Sequence, residues 1–490
     1  MLFNSLTFVV FYLVVFTLYW LLRARTPQNL LLLVASWVFY GAWSWKFLLL
    51  LLGSTVLDYV CGLLIAGASD RRRKRLVLIV SVSANLLFLA TFKYLGFFVT
   101  EFAQLLERFG FNANLPVLEI VLPVGISFYT FQTIGYVVDV YRGKVPAARN
   151  FLTYALYVAF FPQLVAGPIE RAGHMLPQYE KDRVWSTPKF ESGLQLAVWG
   201  LFKKIVIADN LAPYVDAVFD SPTQFSGATL VAATIFFAFQ IYCDFSGYTD
   251  TARGCARRLG FELIRNFNFP YISRTPVEFW QRWHISLSQW FQDYLYYPLA
   301  MRYMRRGGFM SKYKAHIISM ALIGFWHGAN WTFIVFGLYW GIMIAGYLAV
   351  LDRAGGAALG GRGERLAGFA PRVREVGSVA SMFAIVCVGW VFFRADSIGD
   401  AWHVLTHLWS VGGLSAVSGA GIVDARILWA LIVGLAVAEW IYRNFTRIGH
   451  ELESGRLPAI AGRYALVAAM VVSAGATQLG EARPFIYFQF

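Results

Sequence analysis

Apolar runs of membrane length alternate with short polar breaks along almost the whole chain. They lie near residues 3–22, 27–45, 47–69 and 76–92, then near 121–138, 151–169, 190–207 and 226–243. A last group covers 285–300, 317–333, 334–351, 377–393, 427–442 and 464–480. A membrane helix needs about 20 apolar residues, so the pattern predicts roughly 11 to 13 lipid-contacting helices. The runs near 121–138, 190–207 and 285–300 are interrupted by Pro, Gly or polar residues. Interrupted helices at membrane depth are tolerated where protein or water satisfies the backbone, so these three are expected to be re-entrant or half-buried. The two prolines and the glycine of Phe161-Pro-Gln-Leu-Val-Ala-Gly-Pro-Ile-Glu-Arg171 predict a broken helix, with Glu170 and Arg171 as an interfacial charge pair.

Basic clusters separate the runs. Arg71, Arg72, Arg73, Lys74 and Arg75 form the densest, with Lys203–Lys204 and the Arg302–Lys314 loop behind it. The positive-inside rule places the first cluster in the cytoplasm. Residues 353–376 are rich in Gly and Arg and read as a loop between two groups of helices. The fold class expected is an all-α polytopic membrane protein, one domain over 1–490. Within it 1–110 are N-terminal helices, 111–351 a catalytic core, 352–480 C-terminal helices and 481–490 an aromatic tail.

Composition agrees with this reading. The chain is 58% hydrophobic and 14% charged, where soluble domains carry nearer 25% charged residues. The net charge of +14 reads as topology and headgroup signal, since no folded basic domain supports a nucleic-acid partner. The four cysteines form no CxxC pair, and no metal site is expected. Met1–Leu22 lacks a basic n-region and a small-residue cleavage site, so it is expected to be a retained span.

Chemistry gathers in the middle of the chain. His327 is the one ionisable side chain in a run with no acid, Lys or Arg from Ile317 to Leu351. Such a group is costly at membrane depth and faces protein or a wet cavity. Gly324 and Gly328 have the small-xxx-small spacing of close helix contacts, and Asn330 falls roughly on the face of His327. Asp244 and Asp250 end a long charge-free run, with Arg253, Arg257 and Arg258 beside them, which predicts an Arg–Asp network. Thr275, Pro276 and Glu278 make a helix start of the capping-box kind. On the amphipathic helix that follows, Gln281, His284, Ser288 and Gln292 share a polar face, opposite Trp283, Leu287, Trp290 and Tyr294. A packing histidine and a solvated interfacial face account for much of this. Yet an imidazole is also a general base near neutral pH.

Arg282-Trp-His-Ile-Ser-Leu-Ser288 together with Trp326-His-Gly-Ala-Asn330 resembles the membrane-bound O-acyltransferase (MBOAT) superfamily. Pro123–Gln132, Ala166-Gly-Pro168, Asp244-Phe-Ser-Gly-Tyr248 and Asn266-Phe-Asn268 are similar to its bacterial exporting branch, which serves alginate, peptidoglycan and teichoic-acid acylation. The resemblance implies about 11 membrane helices around a central tunnel. It makes His327 the invariant histidine and His284 the second motif histidine. It also implies a cytoplasmic acyl thioester donor, acetyl-CoA in the acetylating members. Phe485, Tyr487 and Phe490 are similar to an aromatic tail pattern in which the Tyr relays the acyl group.

The expected protein is therefore an O-acyltransferase of a bacterial cytoplasmic (inner) membrane. His327, His284 and Tyr487 are its catalytic residues, and Gln281, Ser288 and Asn330 are its donor contacts. Its partners are a periplasmic or extracellular polysaccharide acetyltransferase and the polymer synthase machinery. Two other readings compete: a proton- or solute-conducting transporter, and direct acylation of a lipid or protein.

Overall fold

The computed structural model describes residues 1–111, 122–165, 167–305, 307, 311–353, 370–410, 417, 419, 422–452, 483 and 485–486. Among these residues every regular element is a helix. Among the described residues five helices are long and apolar enough to cross a membrane: Trp45–Gly67 (α1), Arg71–Lys93 (α2), Gly227–Arg258 (α4), Trp331–Arg353 (α8) and Arg374–Arg394, the last within Ala370–Arg394 (α9). The expected run near 464–480 lies outside the described residues. The chain forms two compact units, one of residues 1–197 and 248–264, the other of 198–247 and 265–490.

In the first unit α1 and α2 pack on Ile126–Tyr141 (α3), which is buried along almost its whole length. The buried carboxylate of Asp58 on α1 accepts bonds from Ser81 Oγ (2.6 Å) and Asn85 Nδ2 (2.8 Å) of α2. The expected break in the 151–169 run is present. Phe151–Ala159 stops at Phe160, whose ψ of 111° leaves the helical region, and a short Phe161–Leu164 turn follows. Gly125 starts α3 with φ +76°, and a Cβ there would meet the Leu164 carbonyl oxygen at 2.7 Å. Glu170 is not at an interface beside Arg171. It is buried, its carboxylate bonded to His174 Nδ1 (2.8 Å) and to the Ile264 N–H (2.7 Å).

The second unit is organised around an antiparallel helix hairpin, Ser311–His327 (α7) and α8. Glycines set the separation of the two backbones. A Cβ on Gly324 would overlap the Phe333 carbonyl oxygen, one on Gly337 the Met320 carbonyl oxygen, and one on Gly341 would sit 2.7 Å from Ile317 Cα. The close partner that the Gly324 spacing calls for is thus the next helix in the chain. Leucine at Gly337 is expected to force the hairpin apart at about 1–3 kcal/mol or more, the usual cost of overpacking. Thermal unfolding of the detergent-solubilised variant, followed by size-exclusion chromatography, checks this. An unchanged midpoint would contradict the close packing.

Two of the three interrupted runs contain a wide turn. Lys203–Ala208 follows Thr187–Phe202 as a π-helical turn, and Gln292–Tyr296 does the same between Ile285–Phe291 and Tyr297–Met304. Turns of this kind occur often at functional sites.

Candidate active site

The cleft and the two histidines described here belong to the second unit. Its first part is the start of the helix Pro276–Arg282 (α5). Thr275 Oγ1 accepts from the Glu278 N–H at 3.1 Å, and Pro276 fills the first position, where a missing N–H costs nothing. Glu278 reaches back to the Arg274 N–H (2.9 Å) and pairs with Arg282 (2.9 Å). Burial works against the Glu278 carboxylate, yet the Arg274 N–H and the Arg282 guanidinium hold its pKa below the usual value. Beside it lies an open polar cleft of about 680 Å³, lined by Asn268, Arg274, Thr275, Glu278, Gln281 and Arg282.

The amphipathic helix does not run on from here. It stops at Arg282 and restarts as Ile285–Phe291 (α6), with His284 between them at φ 42° and ψ 54°. That left-handed conformation is uncommon for a residue with a Cβ, and such strain is held only where surroundings over-determine it. Here Asn266 supplies the constraint. Its carbonyl accepts the Ile285 N–H (2.9 Å) and its Oδ1 accepts the Ser286 N–H (3.0 Å), while the Asn268 N–H bonds the Arg282 carbonyl (2.9 Å). The left-handed turn takes His284 off the expected polar face. It is fully buried (0% exposed), whereas Gln281 and Gln292 are exposed. Ser288 is half-buried and donates to the Trp283 carbonyl (3.2 Å), closing the break.

His327 ends α7 and is 4% exposed. Its ring neighbours are Trp326 (4.8 Å), Phe393 (5.0 Å) and Phe336 (6.0 Å). Trp326 is also a neighbour of His284, at 6.2 Å. One indole therefore neighbours both imidazoles that the sequence singled out. Further aromatic rings extend from this group: Phe336 stacks on Trp390 (5.6 Å), Trp283 lies 4.8 Å from Trp390, and Phe279 stacks on Trp340 (4.9 Å). The indole N–H groups of Trp280 and Trp340 are buried and have no hydrogen-bond partner among the described residues.

Asn330 is not on the helix face of His327. The helix ends at His327, and Asn330 stands in the turn that follows, where its Oδ1 accepts the Thr332 N–H (3.1 Å) at the start of α8. Its Nδ2 donates to the Asp396 carbonyl (3.0 Å), tying the hairpin turn to the end of α9. The reason is local: Asn is a strong N-cap residue, and Gly328 before it leaves room for the Phe333 ring, which a Cβ there would overlap.

Asp244 also departs from the expected Arg–Asp network. Asp250 does pair with Arg253 (3.1 Å), but Asp244 Oδ1 is 2.5 Å from Lys204 Nζ. Lys204 bonds Asp209 as well (2.7 Å), and Lys203 donates to Ser246 (2.9 Å). Asn266 and Lys204 were not expected as site residues. The Asn266-Phe-Asn268 motif was the available signal for the first; a paired lysine next to an apolar run was the signal for the second. Tyr487 lies outside the described residues, although Phe485 and Ile486 before it are both buried.

The MBOAT family profile (membrane-bound O-acyltransferase family) matches residues 145–354, which include Gln281, His284, Ser288, His327 and Asn330. The chain is 38% identical to the "Probable alginate O-acetylase AlgI" of Pseudomonas aeruginosa, over 91% of this chain and 82% of that one. It is 36% identical to the protein of the same name from Azotobacter vinelandii over the full length of both. It is 34% identical to the "Peptidoglycan O-acetyltransferase" of Helicobacter pylori, over 85% of this chain and 81% of that one. The chain belongs to the membrane-bound O-acyltransferase family and is an O-acyltransferase.

Proposed function

We propose that this enzyme takes an acetyl group from acetyl-CoA at the cytoplasmic face of a bacterial inner membrane and passes it outward. Its product serves O-acetylation of an extracytoplasmic polysaccharide, such as alginate, cellulose or peptidoglycan. Alginate and peptidoglycan follow the names of the similar proteins, and cellulose is proposed as a glycan of the same class. About 11 spans around a central tunnel complete the proposed architecture.

The observation that carries this reading is the separation of cleft and imidazole along α9. Arg274 of the cleft reaches Glu375 near the start of that helix (3.8 Å), while His327 packs on Phe393 near its end. The intervening 18 residues (393 minus 375) correspond to roughly 27 Å of helix, close to the thickness of a bilayer core. Arg302, Arg305, Lys314 and Arg353 favour a cytoplasmic position for the cleft end by the positive-inside rule. His327 then belongs at the outward end, with His284 and Trp326 between cleft and exit. Gln281, exposed in the cleft, is the donor contact best supported by its surroundings. Ser288 and Asn330, both engaged in turns, shape the walls.

In the proposed reaction His327 removes the proton from the Tyr487 hydroxyl, and the phenolate oxygen attacks the thioester carbonyl. The C–S bond breaks, the imidazolium returns the proton to the leaving thiolate, and acetyl-Tyr487 and CoA result. The oxyanion of the tetrahedral intermediate needs a donor, and the buried N–H of Trp280, whose ring neighbours the same Phe336 as His327, is the candidate. A partner polysaccharide acetyltransferase outside the membrane then collects the acetyl group from the tyrosyl ester. Gln281→Glu, which adds a negative charge to the donor cleft, is expected to raise KM for acetyl-CoA several-fold with kcat little changed. Steady-state release of CoA thiol tests this; an unchanged KM would contradict a donor site in the cleft.

A further inference from the structure

We propose that Asp244, oriented by Lys204, is the dock that fixes the backbone at Phe485 and Ile486 beside the site. It acts as a positioning residue for acyl transfer. The carboxylate of Asp244 is 3% exposed and divided between two tasks. Oδ1 faces Lys204 Nζ at 2.5 Å, and Oδ2 accepts the backbone N–H of Ile486 at 2.8 Å. The two bonded residues are 242 positions apart in the sequence. A main-chain donor carries no side-chain identity, so this contact fixes where the backbone lies and leaves the side chains to neighbouring groups.

The packing around the pair is built for it. Gly247, one helical turn after Asp244, lets α4 approach the Lys203–Ala208 turn closely. A Cβ there would meet the Gly200 carbonyl oxygen at 2.6 Å and the Lys204 N at 3.0 Å. That approach brings Asp244 within reach of Lys204. Asp209, 2.7 Å from the same ammonium, helps to hold it in place. Burying charges is costly before pairing, and an apolar replacement is often as stable, so the use of the pair is positional. It presents a fixed acceptor oxygen to the Ile486 N–H, and this is the contact the dock requires.

Two more contacts hold the segment on the same surface. Arg483 lies 3.5 Å from Asp216, and the buried ring of Phe485 packs 5.3 Å from Phe245. Phe245 in turn meets the His284 ring edge-on at 4.6 Å. The dock therefore sets the residues before Tyr487 one phenyl ring away from a site histidine. Its role in acyl transfer rests on the relay reading of Tyr487, but the docking itself does not.

Hydrogen–deuterium exchange with mass spectrometry on the full-length protein in nanodiscs tests the dock. Amides of the 483–490 peptide are expected to be protected in the wild type. In Asp244→Ala they exchange roughly tenfold faster or more, the effect of losing a bond to a charged acceptor. Ile486→Pro removes the donor and leaves the buried ion pair untouched, so it serves where Asp244→Ala does not fold; the remaining amides of the peptide should exchange faster to a similar degree. In both variants kcat for acetyl transfer falls while KM for acetyl-CoA holds, because the donor cleft is unaltered. Protection equal to wild type in the folded variants would overturn the dock. Faster exchange with undiminished polymer acetylation would keep the dock and instead overturn Tyr487 as the relay.

Discussion

His327→Ala is expected to abolish acetylation of the polymer in cells, with membrane levels of the protein near wild type. A positioned general base contributes about 10²–10⁴ in rate, so residual transfer should fall by at least two decades. His327→Gln keeps much of the size and a hydrogen-bonding end but cannot take the proton, and it should fare no better. The site explains why the loss is chemical and not structural. The imidazole stands among Trp326, Phe336 and Phe393 at the end of a helix, and its removal leaves the glycine-set contact of α7 and α8 in place. Quantifying O-acetyl groups on polymer from complemented cells measures the effect. Wild-type acetylation at normal expression would remove His327 from the chemistry.

Tyr487→Phe is expected to have an effect of similar size on delivery but a different signature. It deletes one oxygen, the proposed nucleophile, and keeps the aromatic ring. Polymer acetylation should drop by roughly two decades or more if no other hydroxyl takes over. The protein should still bind acetyl-CoA with unchanged affinity, because the cleft at Gln281 and Arg274 is untouched. The measurement is isothermal titration of acetyl-CoA beside polymer acetylation in the same variant. Full acetylation in Tyr487→Phe together with loss in His327→Ala would favour direct transfer to a lipid, protein or glycan hydroxyl.

Much of the scaffold was legible in the sequence because its causes are local. Thr275, Pro276 and Glu278 cap a helix with side chains three residues apart, and the prolines and glycine after Phe160 mark a broken one. Gly324 announced a close helix contact, and the hairpin supplied the partner. What escaped the sequence is set by contacts between distant residues. The 3.6-residue periodicity runs straight through His284, yet Asn266, 20 positions before Ser286, bonds its backbone and helps hold the turn. The same holds for Asp244: three arginines follow it closely, but the lysine that reaches it lies 40 positions earlier, presented by a π-helical turn. Asn330 was misplaced although its signal is local: an N-capping Asn just before Trp331 marks a helix start inside the apolar run. For His284 and Asp244 the missing information is which distant groups become partners, and only the folded chain answers that.

The central claim is that His327 drives transfer of an acetyl group from a thioester onto Tyr487. The most direct measurement is to incubate purified full-length enzyme with [14C]acetyl-CoA and map the protein-bound label by peptide mass spectrometry. The account expects label on Tyr487 in the wild type, released CoA thiol in equal amount, and neither product in His327→Ala. Label on Tyr487 at the wild-type rate in His327→Ala, or acetyl transfer to polymer with no label ever passing through Tyr487, would contradict it.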